Sequence, residues 1–502
     1  MPPTRRILLG TLGAAALTAT APAPAPVPAS GHRPAAPAGG HGPEPTNRAP
    51  RAPVPLRLPA PTGPWPVGTV ELHLVDDSRP DPLLPTRPYR ELMAGLWYPA
   101  EPAAGHPTAP WLPPAAAADW DAHSAPALGI PAGAADWRGI RTHARTGAPV
   151  ARRAGRLPVV LFSSGDGGSR ALGTTLVEEL ASHGHLVVAL DSTYEAEQVE
   201  FPGGRVERAL PLPDDLTPEV IAALLAQHSR ARLADARFVL GALDRLARGH
   251  RPGTGTHPLP RGLAEAADPT RTGVLGQSLG GSVAAQLAHD EPRVRAAANL
   301  DGALLPPVAD SGLTKPFLLM ASGAKSLHTE PSWASCWTAS TGPRHALRLR
   351  DAAHGSYTDL QVLLPQLAHH LPVPDTAGLI GTITPRRSLA AQRTALTAFF
   401  GQYLTARPTD FLDHPGAKWP ELEVLHWTGP PATPPRGTER PGRPTAPSSR
   451  SPSRTRRPPP PRGDGSGKST ARRGTARSRV RAGRPGRDRA RGAARTGSSS
   501  PS

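Results

Sequence analysis

The sequence predicts an α/β protein built on a mostly parallel sheet covered by helices, and three observations predict it. Short continuous apolar runs alternate with helical stretches between residues 158 and 404. Such runs suit strands buried on both faces, because helical crossovers cover a parallel sheet above and below. A glycine-rich loop at residues 164–170 and the pentapeptide Gly276-Gln277-Ser278-Leu279-Gly280 each follow one of these runs. Both are compact turns of the kind that lead from a strand into a helix.

Residues 1–29 read as an export signal of the twin-arginine kind. Arg5-Arg6 precedes an apolar run over 7–21, and Val27-Pro28-Ala29 offers a small-residue cleavage site. The run is shorter than the ~20 residues of a spanning helix, so the expectation is a secreted, extracellular protein. Residues 30–55 form a Pro/Ala-rich linker, 56–428 the catalytic domain and 429–502 a tail.

Within the domain, strands are expected at 70–75 and 92–98, separated by the Pro-rich stretch 78–88; residues 101–154 are rich in Ala, Pro and Trp and resist assignment. Strand 158–163, helix 171–183 and strand 186–191 make a βαβ unit. A long helix over 218–248 places Leu233, Phe238, Leu240 and Leu243 at helical spacing. The elbow strand 272–275 and its helix 281–289 follow, then strands 295–300, 317–321 and 345–350, and a closing helix 387–404.

The net charge of +17 suggests a polyanion partner until it is located. From Arg436 onward there are 19 Lys+Arg against 3 Asp+Glu, so this tail carries +16 and the rest of the chain is nearly neutral. Arg, Pro, Ser and Gly bury too little apolar surface to offset the entropy of ordering, which predicts a disordered tail. Its charge suits contact with anionic polymer or lipid, and no nucleic-acid partner is expected for the catalytic domain. The single cysteine, Cys336, excludes an intramolecular disulfide and reads as a buried small apolar residue. No stretch after the signal approaches spanning length.

Chance alone would supply roughly 0.3 matches to the Gly-x-Ser-x-Gly pattern in a chain with 51 glycines, so its strand-to-helix setting carries the assignment. In that setting Ser278 is a candidate nucleophile. A serine hydroxyl needs a histidine to take its proton and a carboxylate to orient the histidine, and in such elbows both follow the serine along the chain. Asp301 closes strand 295–300 at the same carboxyl edge as Ser278, with Gly302 easing the turn. Asp290 and Glu291 end the elbow helix far from that edge, and Asp351 lies too near the histidine to orient it. Glu330, in a disordered-looking loop over 325–331, is the fallback. His354 follows strand 345–350 and precedes Gly355, whereas His345 begins that strand and points to the opposite end.

A tetrahedral intermediate also needs backbone donors, each worth ~3 kcal/mol or more. The N–H of Leu279 and that of Asp166, in the loop 164–170, are the candidates. Residues 465–469 imitate a phosphate-binding loop, but the first required glycine falls on Arg462 and no strand precedes them.

Residues 158–170 (PVVLFSSGDGGSR), 276–281, 299–302, 351–355 and the early 96–100 (LWYPA) together resemble the platelet-activating-factor acetylhydrolase-like (isoform II, plasma type) α/β hydrolases of secreting actinobacteria. The resemblance covers roughly residues 56–426. It places the family's serine on Ser278, its acid on Asp301 and its histidine on His354. It implies lipase or esterase activity on a carboxylic ester, often a short acyl chain on a phospholipid or other lipid, without metal or other cofactor. Two positions depart from the family pattern. Gln277 stands where histidine is common, and Asp166 stands where an apolar residue is usual. A carboxylate there opposes the oxyanion and predicts low or acid-shifted activity unless its side chain turns away. The same residues also fit a polyester or cutinase-like hydrolase, and the tail alone a polyanion-binding protein.

Overall fold

The computed structural model describes residues 52–254, 258–323 and 325–429. The export signal, most of the linker, the basic tail and residues 465–469 lie outside them. Backbone pairing begins at Val54, which exchanges hydrogen bonds with Ala134 and Asp136.

The domain opens with an antiparallel pair, β1 (Val67–Asp76) and β2 (Arg90–Pro99), matched from Val67 opposite Pro99 to Asp76 opposite Arg90. β3 (Thr108–Pro110) and β4 (Arg141–Thr146) extend the sheet beyond β1. β5 (Leu157–Ser163) and β6 (Leu186–Leu190) enter its middle, and β7 (Gln198–Phe201) with β8 (Arg205–Arg208) forms a separate hairpin. β9 (Ala267–Gln277), β10 (Val294–Leu300), β11 (Phe317–Ser322), β12 (Arg344–Leu349) and β13 (Leu422–Val424) complete the sheet. The eleven strands run in the order β13-β12-β11-β10-β9-β5-β6-β2-β1-β4-β3. Pairing is parallel from β6 through β5, β9, β10 and β11 to β12, and antiparallel where β2 and β13 flank that block.

Four helices matter for the site. α1 (Thr174–Ser182) and α4 (Pro385–Thr405) cover one face of the sheet, burying Leu176, Leu180, Leu396, Phe399 and Phe400. α2 (Pro218–Ala247) and α3 (Leu279–Asp290) cover the other through Leu240, Leu243, Val283 and Leu287. Sequence fixes the start of α2 sharply: the Thr217 side chain accepts from Val220 N, Pro218 occupies the first turn and Glu219 faces the positive helix end. Gly273 brings α4 close to the sheet, since a Cβ there would lie 2.7 Å from Phe400 Cε1.

The expected central strands are all present; most are longer than expected, while 186–191 ends one residue early at Leu190 and 345–350 is shifted by one to Arg344–Leu349. The elbow strand is the largest extension, 267–277 against an expected 272–275, because it continues through Pro269 where its register against β5 shifts. The unassigned stretch 101–154 holds β3, β4 and a buried cluster in which Trp120 lies 5.5 Å from Trp111 and 5.7 Å from Trp137. Short strands of this kind take their conformation from a partner, so local pattern does not reveal them.

Candidate active site

Ser278 sits between β9 and α3 with φ 55° and ψ −123°, a conformation unfavourable for any residue with a Cβ. Its surroundings impose that turn. Ser278 N donates to Leu300 O at 2.9 Å, and Ser278 O accepts from Gly281 N at 2.9 Å. A Cβ on Gly276 would lie 2.0 Å from Gly280 O, and one on Gly280 would lie 2.1 Å from Ser163 O. Glycine is therefore required on both sides of the serine. Leu279, packed under Leu212, Leu216, Ile221 and Leu225, begins α3, so its N–H is among the donors that no intrahelical carbonyl satisfies.

Asp301 leaves the end of β10 with φ 60° and is fully buried. Its Oδ2 lies 2.7 Å from His354 Nδ1, and its Oδ1 accepts from Ser322 N at 2.8 Å. Lys325 adds a cation: Nζ is 3.1 Å from Asp301 Oδ2 and donates to Asp301 O at 2.9 Å. Burial alone would raise the Asp301 pKa, but the His354 hydrogen bond and the Lys325 charge outweigh it and hold the carboxyl below its ordinary value. His354 opens a short 3₁₀ turn steadied by Tyr357, whose hydroxyl donates to Ala321 O at 2.8 Å.

The other candidates are engaged elsewhere. Glu330 ends the loop 325–330, which is ordered rather than disordered, and is the buried N-cap of helix Pro331–Ala339, accepting from Ser332 Oγ at 2.8 Å. His345 faces Tyr403, with Nε2 2.9 Å from its hydroxyl. Cys336 is buried, and that burial pushes its thiol up to about 11.

Gln277 is closer to the chemistry than its sequence position suggested. Its Nε2 lies 3.2 Å from His354 Nε2, so the amide donates to the ring nitrogen that faces away from Asp301. Among the described residues no hydrogen bond joins Ser278 Oγ to His354. The two side chains instead share one small cavity of about 90 Å³, whose walls include Trp120, Leu128, Leu172 and Leu379. Larger hollows of about 610 Å³ beside Trp97 and Phe201 and about 790 Å³ beside Arg393 and Trp419 contain none of Ser278, Asp301 and His354. Chemistry rather than size locates the site.

The loop after β5 also reaches this cavity. Gly165 must lack a side chain, since a Cβ would stand 2.4 Å from Gln277 Oε1 and 3.2 Å from Ser278 Cβ. Arg232 of α2 donates to Ser164 O, to Gly165 O at 2.8 Å and to Ser163 Oγ at 3.0 Å, while Glu195 accepts from its Nε at 2.9 Å. The Asp166 carboxylate is directed to α2, where Oδ1 meets His228 Nδ1 at 2.7 Å. The concern raised by an acid in this loop is thus met by a side chain that pairs with an imidazole.

Sequence reasoning did not single out Lys325, His228, Arg232 or Glu195. Only Lys325 left a signal: it is one of four lysines in a chain with 57 Lys+Arg.

Residues 54–198 match the family model described as platelet-activating factor acetylhydrolase, isoform II. That stretch includes the loop after β5 and ends before Ser278. A protein of Arthroderma benhamiae described as a probable 1-alkyl-2-acetylglycerophosphocholine esterase is 25% identical over 287 residues, which are 54% of this chain and 66% of that protein. The chain thus spans just under two thirds of the length of that curated relative. The solved structure of a ferulic acid esterase from Streptomyces cinnamoneus is 36% identical, with a TM-score of 0.59 over 74% of this chain and 99% of that one. Fold and relatives together define the class, a carboxylic-ester hydrolase on an α/β-hydrolase sheet. Within it, the chain belongs to the platelet-activating-factor acetylhydrolase-like α/β hydrolases.

Proposed function

We propose that Ser278, His354 and Asp301 form a catalytic triad that hydrolyses short-acyl carboxylic esters through an acyl-enzyme. The observation that carries this reading is the 2.7 Å contact between His354 Nδ1 and buried Asp301, on the wall of the cavity that Ser278 also lines. Asp301 accepts a hydrogen bond from Nδ1–H, which keeps the proton on that nitrogen and leaves Nε2 as the basic one. As ester enters, Nε2 exchanges the Gln277 amide for the Ser278 hydroxyl. Ser278 Oγ attacks the carbonyl carbon while Nε2 takes its proton, and the oxyanion is held by the N–H groups of Leu279 and Asp166. The imidazolium returns the proton to the departing alcohol. Water, deprotonated by the same nitrogen, then releases the acid and restores Ser278.

The small apolar cavity favours a short acyl group, as does the acetyl ester named in the Arthroderma relative. A second reading, esters of ferulic acid, is favoured by the 36% identity to the Streptomyces enzyme. A series of nitrophenyl esters from acetyl to palmitoyl, together with methyl ferulate, separates the two when run with wild type and Ser278→Ala. Equal rates for the two proteins would discard the mechanism. Export through the paired arginines belongs to the same proposal. It is tested by finding esterase activity in culture medium and its loss on Arg5→Lys/Arg6→Lys substitution. Among the described residues no helix is long and apolar enough to cross a membrane. The basic tail is an accessory polyanion contact, so truncation after Trp427 is expected to leave nitrophenyl-ester hydrolysis unchanged.

A further inference from the structure

Resting on that reading, we propose that His228 is a positioning residue of the oxyanion loop: as an imidazolium it neutralises Asp166, and turnover falls once it loses its proton. Three successive loop residues are tied to α2. Arg232 binds the carbonyls of Ser164 and Gly165, and His228, one turn earlier on the same helix face, binds the Asp166 side chain. The loop is thereby held with the Asp166 carboxylate directed at the helix.

Charge balance argues for the proton. The groups that face His228 are Asp166 at 2.7 Å, Glu195 at 3.8 Å from the segment after β6, and Arg232 from its own helix. Asp235, a turn further along α2, is already paired with Arg90 and Arg79. Glu195 and Arg232 neutralise each other through a buried multiple hydrogen bond. Asp166 also shares a hydrogen bond with Glu195 and feels the Arg232 charge, so Asp166, Glu195 and Arg232 together carry one net negative charge unless His228 is protonated, and such an imbalance in so dry a place is strongly unfavourable. Asp166, Glu195 and His228 present ligand atoms within 4.8 Å of one another, but Arg232 already supplies the positive charge that a cation would bring to Glu195.

The direction with pH follows. Burial disfavours the imidazolium, but the Asp166 hydrogen bond and the Glu195 and Asp166 charges prevail, so His228 is held above its ordinary 6.5. Burial likewise opposes the Asp166 carboxylate, and the His228 bond prevails to hold it below 3.8. The ion pair is complete below the raised His228 value and is lost as pH rises through it. Above that point the bare Asp166 carboxylate opposes the negative charge that develops beside its own N–H.

The test is the pH dependence of kcat and KM for 4-nitrophenyl acetate in wild type, His228→Gln, Asp166→Asn and the double variant, with Ser278→Ala as the blank. The wild-type kcat is expected to fall on the alkaline side with little change in KM. His228→Gln should lower kcat about tenfold at neutral pH, as expected for a weakened oxyanion contact, and should flatten the alkaline limb. Asp166→Asn should also remove that limb, and adding His228→Gln to it should cost less than about twofold, because the charge to be balanced is gone. An alkaline limb that persists in either single variant, or a His228→Gln deficit that survives in the Asp166→Asn background, overturns the proposal. Should His228→Gln fail to fold, the Asp166→Asn profile alone decides. An active Ser278→Ala would instead refute the triad, so the two failures are distinguishable.

Discussion

Two carboxylate-imidazole pairs flank the Ser278 turn with the same 2.7 Å contact, Asp301 with His354 and Asp166 with His228. Each has a basic third member, Lys325 in one and Arg232 in the other. They differ in what the imidazole does with its second nitrogen and in what the carboxylate leaves exposed. His354 presents Nε2 to the cavity it shares with Ser278, the placement that the proposed proton transfer needs. His228 lies among Asp166, Glu195 and Arg232, so its pair holds a backbone loop in place. Similar contacts thus carry chemistry or support according to the strand end and helix face that present them.

The comparison predicts a descending scale of effects. Ser278→Ala is expected to lower kcat by about 10⁶-fold, the scale of losing a serine nucleophile. Asp301→Asn should cost about 10⁴-fold through the wrong His354 tautomer, in contrast to the far milder Asp166→Asn; similar losses in the two would erase the distinction between them. Lys325→Met should reduce kcat/KM by roughly tenfold near neutral pH, within the usual range for removing a charge-assisted contact. Gln277→Leu should raise kcat by about 2- to 10-fold, since the amide bond that Ser278 must displace is worth ~0.5–1.5 kcal/mol. A fall would mean that Gln277 assists the histidine rather than competing for it.

The smallest effect is on stability. Asp301 has a lowered pKa in the fold, so its stabilisation is complete above the ordinary 3.8 and is lost as pH falls through the lower folded value. Melting temperatures followed into acid should therefore drop less steeply for Asp301→Asn than for wild type.

The triad side of this comparison was legible in the sequence because it follows topology. Ser278, Asp301 and His354 each come just after a strand of one parallel block, and the carboxyl ends of such strands lie along one edge. Glycine spacing added the turn, and the structure supplies the reason in the carbonyl oxygens that would meet a Cβ at Gly276 and Gly280. The supporting side was not legible. His228 and Arg232 lie within a long helix whose hydrophobic period describes only the face turned to the sheet, and nothing local says that its polar residues reach a loop more than sixty positions earlier. The helix Pro331–Ala339 was missed beside it: the Ser/Thr/His-rich run up to Glu330 is a loop, as its composition implies, but the Glu330 cap to Ser332 that opens the helix and orders the loop was not read.

The stretch between β3 and β4 sends Trp120 and Leu128 to the cavity wall, yet it contributes nothing to the strand ends that bear Ser278, Asp301 and His354. Part of the cavity wall is therefore carried by a stretch of chain that bears none of the three reactive side chains, so Trp120 and Leu128 can be varied to change the preferred ester with those strand ends left as they are.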